Sequence, residues 1–189
     1  MNMVSEPDIF RAVINRTTEF YLKANGLFYS AAGNKLDAVL IGNDFGSQLS
    51  LILSRELICE FVLPGTKALI DQAKSHGLKV IHHSCGAIRD LIPDLIKIGV
   101  DAIHPIQALA AGMDAPGLAR DFGDKVSFCG GVDAQNLLVN GTPEEIRKCV
   151  QKLRKLFPTG LVISPSQEAI LSDIAPENIR ALFAAVHEF

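Results

Sequence analysis

The chain has 189 residues and a mass of 20.4 kDa, and 48% of its residues are hydrophobic. This is enough for a single domain with a sizeable core. The formal net charge is -3 and the pI is about 5.9. The chain therefore lacks the basic field that binds phosphate backbones or acidic membranes, which excludes nucleic acid as an expected partner.

The N-terminal residues show no basic segment followed by an apolar stretch, so no signal peptide is predicted. No uninterrupted apolar run approaches the roughly 18 residues that span a bilayer. Four cysteines are scattered along the chain, namely Cys59, Cys85, Cys129 and Cys149. Without export signals, this pattern predicts a cytoplasmic protein whose thiols are free or metal-bound.

The first predicted element is a helix over residues 9–28, where apolar residues recur at helical spacing. Ser5 is predicted as its N-cap, because Pro7 follows at an early helical position. This helix lies in an N-terminal helical segment, residues 1–36. A short apolar run over 37–44 then predicts the first strand.

A long helical pattern begins at Ser54 and continues to about His76. Pro64 is expected to kink or divide it, because proline removes a backbone hydrogen bond and clashes with the preceding turn. Gly77 is expected to end it.

The succession of strand and helix repeats through the rest of the chain. Further strands are predicted over 78–85, 101–105, 126–131 and 160–165. Further helices are predicted over 87–97, 116–121 and 142–157, with a last one from Pro176. Short apolar strands alternating with helices favour a parallel sheet with helical crossovers. We predict one α/β domain over 1–189, a partial TIM-type barrel with about five of the eight βα units.

An open, doubly wound sheet is the alternative fold. It would bind ligands at the same strand ends, but the chain has neither a GxGxxG nor a GxxxxGK[ST] phosphate loop. The barrel is therefore favoured, and its chemistry is expected at the carboxyl ends of the strands.

The stretch IHHSCG, residues 81–86, places two histidines and a cysteine at one strand end. Side chains alternate along a strand, so His83 and Cys85 share a face and can reach one ion. An imidazole and a thiolate are typical zinc ligands. The alternative is a buried cysteine beside a hydrogen-bonded histidine.

Four more polar residues lie at strand ends or just after them. Asp44, Gln48 and Asp133 are predicted to belong to the catalytic machinery. For Asp44 the alternative is capping a loop, and for Asp133 it is capping the following helix. His104 is either a further metal ligand or simply a polar residue at a strand end.

Several ordered motifs resemble the uroporphyrinogen decarboxylase superfamily, and its cobamide-dependent methyltransferase-like branch in particular. The resemblance runs from about Gly42 to the C-terminus and covers the C-terminal part of the family barrel. The motifs are GNDFGSQ, HSCGAIRDLIPDLIKIGVDAIHPIQ, GGVDAQNLLVNGTPEEIRK and ISPSQEAILSDIAPENI.

The resemblance implies a zinc site in which His83 and Cys85 are ligands. The zinc would bind a thiol substrate and favour its thiolate form. The thiolate would accept a methyl group from a corrinoid, and a partner protein would carry that corrinoid. The family's third ligand is a Cys or His in the loop after the last strand. This chain has Gln167 there, so Glu168 and His104 are the other candidates.

The chain departs from the family because the N-terminal barrel units and the arginine-rich segment of the decarboxylases are missing. A methyltransferase-like enzyme is favoured, and it is open whether the chain alone is active. One alternative is a carboxy-lyase acting on uroporphyrinogen-type tetrapyrroles in porphyrin biosynthesis. Another is a non-catalytic half-barrel that binds a corrinoid protein or a partner chain. Unpaired sheet edges also predict a homo-oligomer.

Overall fold

A computed structural model describes residues 3–188. Its sheet contains five parallel strands that are neighbours in their chain order. The strands are β1 (Ala38–Gly42), β2 (Lys79–His83), β3 (Ala102–Ile106), β4 (Ser127–Val132) and β5 (Leu161–Pro165). A doubly wound sheet reverses its strand order at one point, and this sheet does not. The predicted α/β fold, a partial TIM-type barrel with five βα units, is confirmed.

Helices connect the strands and flank the sheet. They are α1 (Pro7–Ala32), α2 (Arg55–Leu57), α3 (Leu63–Ser75), α4 (Ile92–Ile98), α5 (Ala115–Phe122), α6 (Leu137–Asn140), α7 (Pro143–Leu156) and α8 (Pro176–His187). A capping box begins α7, because Thr142 and Glu145 each bond to the backbone of the other. This reciprocal pair satisfies two of the free N–H groups at the helix start.

Helix α1 is longer at both ends than the predicted 9–28. The predicted cap is wrong, because the N-cap residue is Glu6 rather than Ser5 and no side chain caps the helix. Pro7 lies in the first turn, where its missing N–H costs nothing. The helix packs on α3, and the Nε2 of Gln72 donates to the Leu22 carbonyl over 2.7 Å.

The long helical pattern after Ser54 is divided, as predicted. It consists of α2, a π-helical turn over Ile58–Val62, and α3 with Pro64 in its first turn. A proline in the first turn replaces an N–H that would have no intrahelical partner. Gly77 follows the helix at a φ of 79°, a conformation that glycine adopts without steric cost.

The main core lies between the sheet and its helices. Its fully buried members include Ile58, Ile70, Leu91, Ile103 and Phe128. A second cluster joins α7 and α8 to the last strands. Cys129 is buried, and Cys59 and Cys149 pack against core residues.

The sheet has two edge strands, β1 and β5, and among the described residues each pairs with one neighbour. Leu40 on β1 is 55% exposed and Val162 on β5 is 62% exposed. Side chains alternate along a strand, so these two lie on the face opposite the residues that pack under the helices. Among the described residues, no helix is long and apolar enough to cross a membrane.

Candidate metal centre

The candidate site lies at the carboxyl ends of β1, β2 and β3. The strand register aligns Gly42 with His83 and His83 with His104. Because these strands are parallel, the residues that end them or follow them meet at one edge of the sheet. Asp44 follows β1, and Cys85 follows β2. The loop after β5 adds Glu168 to the same place.

Two groups of candidate ligands share the imidazole of His83. On one side are Asp44 and Cys85, and on the other are His104 and Glu168. Within each group, one donor atom per residue lies within 4.8 Å of the others. The sequence prediction that His83 and Cys85 lie together is therefore matched by their placement.

The Nε2 atom of His83 faces the first group. It lies 3.3 Å from the Oδ1 of Asp44 and 3.7 Å from the Sγ of Cys85. The backbone N–H of Cys85 also donates to Asp44 Oδ1 over 3.0 Å. This bond ties the β1 loop to the end of β2 and holds the carboxylate beside the thiol.

The Nδ1 atom of His83 faces the second group. It lies 2.8 Å from the Nδ1 of His104 and 3.5 Å from the Oε1 of Glu168. His83 is buried and His104 is half-buried, whereas Glu168 is exposed. The imidazole of His83 thus has polar neighbours at both of its nitrogens.

The first group has the donor chemistry and spacing that a zinc ion requires. Zinc prefers thiolate, imidazole and carboxylate ligands in a tetrahedral arrangement. Bond lengths of about 2.0 Å to N or O and about 2.3 Å to S place neighbouring ligand atoms about 3.3 to 3.5 Å apart. The spacings around His83 Nε2, 3.3 and 3.7 Å, fit these values.

The protein environment alone does not make Cys85 a thiolate. Burial raises the pKa of the Cys85 thiol, and the nearby carboxylates of Asp44 and Glu168 raise it further. At neutral pH the sulfur therefore carries its proton unless a cation is bound nearby. A dication would reverse the local charge and favour the thiolate.

The other histidines of the site have lowered basicity. Burial lowers the pKa of His104, and the neighbouring His83 lowers it further. Burial also lowers the pKa of His82 to about 4. The His82 ring stacks on Phe45 at a centroid distance of 5.7 Å and an angle of 8°. His82 therefore packs as a neutral aromatic group beneath the β1 loop.

The turn after Cys85 lies directly against the β1 loop. Gly86 has a φ of 86°, and a Cβ there would collide with the backbone of Gly46. A Cβ on Gly46 would in turn lie 2.7 Å from the Cys85 carbonyl oxygen. The hydroxyl of Ser84 accepts from the Phe45 N–H over 3.0 Å. Backbone contact between the two segments thus fixes Cys85 relative to Asp44.

A chain of glutamine amides joins the four loops that follow β1, β2, β3 and β4 at the mouth of the site. The Gly86 N–H donates to the Oε1 of Gln107 over 2.7 Å. The Nε2 of Gln107 donates to the Oε1 of Gln48. The Nε2 of Gln48 then donates to the Oε1 of Gln135 over 3.3 Å. The predicted residue Gln48 is therefore part of the mouth and contacts other loops.

Asp133 and Gln167 have different surroundings from the rest of the predicted set. The Asp133 carboxylate accepts the backbone N–H groups of Gln135, Asn136 and Leu137, which is how a capping aspartate behaves. Gln167 is half-buried, and it is the next residue, Glu168, whose carboxylate approaches the histidines.

The sequence interpretation missed Gln107, Gln135 and Ser84. Gln107 carried a usable signal, because HPIQ ends an apolar strand with an amide residue and polar strand ends collect at the site. Ser84 and Gln135 have no such sequence signal, because the hydrogen bonds that a serine or a surface glutamine makes depend on which loop lies opposite it.

Five sequential parallel strands, with ligand-type side chains at the carboxyl ends of β1, β2 and β3 and in the loop after β5, define a partial βα-barrel. The chain belongs to the uroporphyrinogen decarboxylase (URO-D) family, because the model of that family matches residues 1–189. A methylated-thiol–coenzyme M methyltransferase from Methanosarcina mazei is 28% identical over 192 residues. That alignment covers 97% of this chain and 46% of the relative.

A solved structure of a methyltransferase from Methanosarcina mazei has the same fold. It matches with a TM-score of 0.63 and 19% identity, over 81% of this chain and 42% of the other. At that identity the match supports the fold alone. The chain spans less than half the length of both relatives.

Proposed function

We propose that this chain carries the zinc site of a methyltransferase-type member of the family, in which the ion activates a thiol substrate. The observation that carries the proposal is the pairing of His83 Nε2 with Cys85 Sγ at 3.7 Å, beside the Asp44 carboxylate. The methyl donor is a corrinoid on a partner protein. The similarity to a methyltransferase that acts on methylated thiols supports this choice of chemistry.

The residues of the chain have distinct tasks in this proposal. His83 and Cys85 hold the ion, and one nearby carboxylate adds to the shell. When bound, zinc acts as a Lewis acid that lowers the pKa of a coordinated thiol toward neutrality. The Cys85 thiolate and one carboxylate supply two negative charges, which balance the charge of the ion. The Gln48 amide lies at the mouth, where it can donate to the substrate.

The charges at the mouth disfavour the rival decarboxylase. A uroporphyrinogen-type substrate carries many carboxylates, and cations would have to bind them. The charged side chains that contact His83 are instead the carboxylates of Asp44 and Glu168. Two fixed negative charges repel a polycarboxylate, whereas they attract a dication.

Zinc content tests the proposal directly. Protein purified without oxygen and saturated with zinc should retain about one ion per chain after dialysis. Cys85→Ser should lose most of it. Cys149→Ser is the matched control, because this thiol packs against the second core cluster and should not affect zinc. If wild type and Cys85→Ser hold equally little zinc, the site is not built as proposed.

Two activity assays then separate the functional classes. The zinc-loaded chain is mixed with methylcobalamin and a panel of small thiols, and thioether formation is followed by mass spectrometry. Product that depends on Cys85 supports methyl transfer. Metal-independent release of carbon dioxide from uroporphyrinogen would favour the decarboxylase. A zinc-bound chain that is inactive in both assays would favour the non-catalytic half-barrel.

A further inference from the structure

We propose that Asp44 is the third protein ligand of the ion, and that His104 is a positioning residue that turns the Nε2 of His83 toward Cys85. This inference rests on the proposed zinc site and refines it. It departs from the family resemblance, which places the third ligand in the loop after the last strand.

The spacing at the two nitrogens of His83 distinguishes ligation from hydrogen bonding. At Nε2 the neighbours Asp44 Oδ1 and Cys85 Sγ lie at 3.3 and 3.7 Å. These are the separations expected for two atoms that share a tetrahedral zinc ion, about 3.3 and 3.5 Å. The separation of 3.3 Å between Nε2 and Oδ1 is also long for a strong N–H···O hydrogen bond. An ion between the three donors accounts for the arrangement.

The contact at Nδ1 is different in kind. The Nδ1 atoms of His83 and His104 are 2.8 Å apart, which is a hydrogen-bond length and is shorter than the spacing of two zinc ligands. Two ring nitrogens at this distance share one proton. A metal-bound histidine keeps its proton on the nitrogen that is not bound to the metal and donates it to a neighbour. His104 Nδ1 is placed to accept that proton from His83.

The position of Glu168 explains why the last loop is not the source of the third ligand. Its Oε1 lies 3.5 Å from His83 Nδ1, which is the side of the ring away from Cys85. The two nitrogens of an imidazole point in diverging directions, so one ion cannot be reached from both. Asp44 lies on the Cys85 side and also accepts the Cys85 N–H over 3.0 Å. It is therefore already held in place next to the thiol.

A cobalt titration tests the choice of carboxylate. Cobalt(II) replaces zinc as an optical probe, and its near-ultraviolet band reports a thiolate ligand. Asp44→Asn should weaken binding by more than about 100-fold, because it removes a ligand. Glu168→Gln, a matched change of the other carboxylate, should stay within about fivefold of wild type. The thiolate band should remain at saturation in both variants and disappear in Cys85→Ser.

A pair of substitutions tests the role of His104. His104→Leu removes the acceptor and should weaken cobalt binding by about 10- to 100-fold. His104→Asn restores an acceptor, because its Oδ1 is as many bonds from the backbone as Nδ1 is, and should recover most of the affinity. The tautomer gives an independent readout: nitrogen-15 NMR of the zinc-bound protein should show the His83 proton on Nδ1. A purely structural role of His104 would not set that tautomer.

The outcomes separate this inference from the proposed function. If wild type binds cobalt through a thiolate but Glu168→Gln loses more affinity than Asp44→Asn, the ligand assignment is overturned and the zinc site stands. A His83 proton on Nε2, or equal binding by His104→Leu and wild type, overturns the positioning role. If wild type binds neither ion, both this inference and the proposed function fail.

Discussion

Gly86 and Gly46 touch backbone to backbone, although forty residues separate them in the chain. Gly86 adopts a φ of 86°, and a Cβ on it would overlap the main chain of Gly46. The contact places the turn after Cys85 against the loop that carries Asp44. The geometry of the candidate metal centre therefore depends on two positions that have no side chain.

We expect Gly86→Ala to be strongly destabilising. The left-handed conformation costs a non-glycine residue about 1–2 kcal/mol, and the clash adds about 1–3 kcal/mol. The free energy of unfolding, measured by urea titration, should fall by about 2–5 kcal/mol. Gly77→Ala is the control, since it has a φ of 79° with nothing within 4 Å of the added Cβ. It should cost only about 1 kcal/mol, and equal losses would contradict the close contact.

Gln107 is predicted to stabilise the fold by holding together the loops around the candidate metal centre. It is buried, its Oε1 accepts the Gly86 N–H, and its Nε2 donates to Gln48. Gln107→Leu leaves both groups without this partner, so unfolding should become easier by about 1–3 kcal/mol. Gln135→Ala, at the exposed end of the same amide chain, should change stability by less than about 0.5 kcal/mol. If Gln107→Leu leaves the free energy of unfolding unchanged, the chain of glutamine amides does not hold the loops together.

Asp101 should make the fold sensitive to acid. Burial raises the pKa of the Asp101 carboxyl, whereas the hydrogen bond from the Val80 N–H at 2.9 Å and the ammonium groups of Lys74 and Lys79 lower it. The lowering effects are the larger, so the net pKa of Asp101 is below its ordinary value. A carboxyl with a lowered folded-state pKa stabilises the fold above its unfolded pKa. That contribution is lost as the pH falls through the folded-state value.

Urea titrations from neutral pH down to about pH 3 check this prediction. Asp101→Asn should be less stable than wild type at neutral pH, and the difference should shrink as the pH falls. Asp124→Asn, at an exposed position of the turn before β4, is the control and should follow wild type throughout. A difference between Asp101→Asn and wild type that does not change with pH would show that the charge of Asp101 is not involved.

We predict that the 189-residue chain associates with itself in solution. The exposed apolar side chains of Leu40 and Val162 lie at opposite edges of the sheet, and exposed edges of this kind favour pairing with another chain. Light scattering over a concentration series should give a mass that rises above 20.4 kDa. Leu40→Lys should reduce the association, because a charged residue blocks edge pairing.

Phe183→Lys is the control for this prediction, since Phe183 is 69% exposed but lies on helix α8 rather than on an edge strand. It should associate as wild type does. A constant mass of a single chain at the highest concentration would contradict the prediction. Equal effects of the two lysine substitutions would show that the sheet edge is not the contact.

Much of the fold could be predicted because its signals are local. Buried parallel strands such as β2 and β4 are short apolar runs, and Gly77 and Pro64 interrupt the helices as their backbone chemistry requires. The start of α1 could not be predicted, because Glu6 caps it without a side-chain bond and leaves no sequence signal.

Only the part of the candidate site that depends on neighbouring residues could be predicted from the sequence. The two-residue period of a strand places His83 and Cys85 on one face, and that pairing is local. The positions of His104 and Glu168 depend on the register between strands and on a loop that is far away in sequence. Which nitrogen of His83 faces Cys85 depends on a side-chain rotation that no sequence pattern encodes.

X-ray absorption spectroscopy of the zinc-loaded chain is the most direct test of the central claim. His83, Cys85 and a carboxylate predict one sulfur neighbour at about 2.3 Å and nitrogen or oxygen neighbours at about 2.0 Å. Cys85→Ser should remove the sulfur signal while Cys149→Ser retains it. A zinc spectrum of wild type without sulfur, or one that Cys85→Ser leaves unchanged, would contradict a zinc centre built on His83 and Cys85.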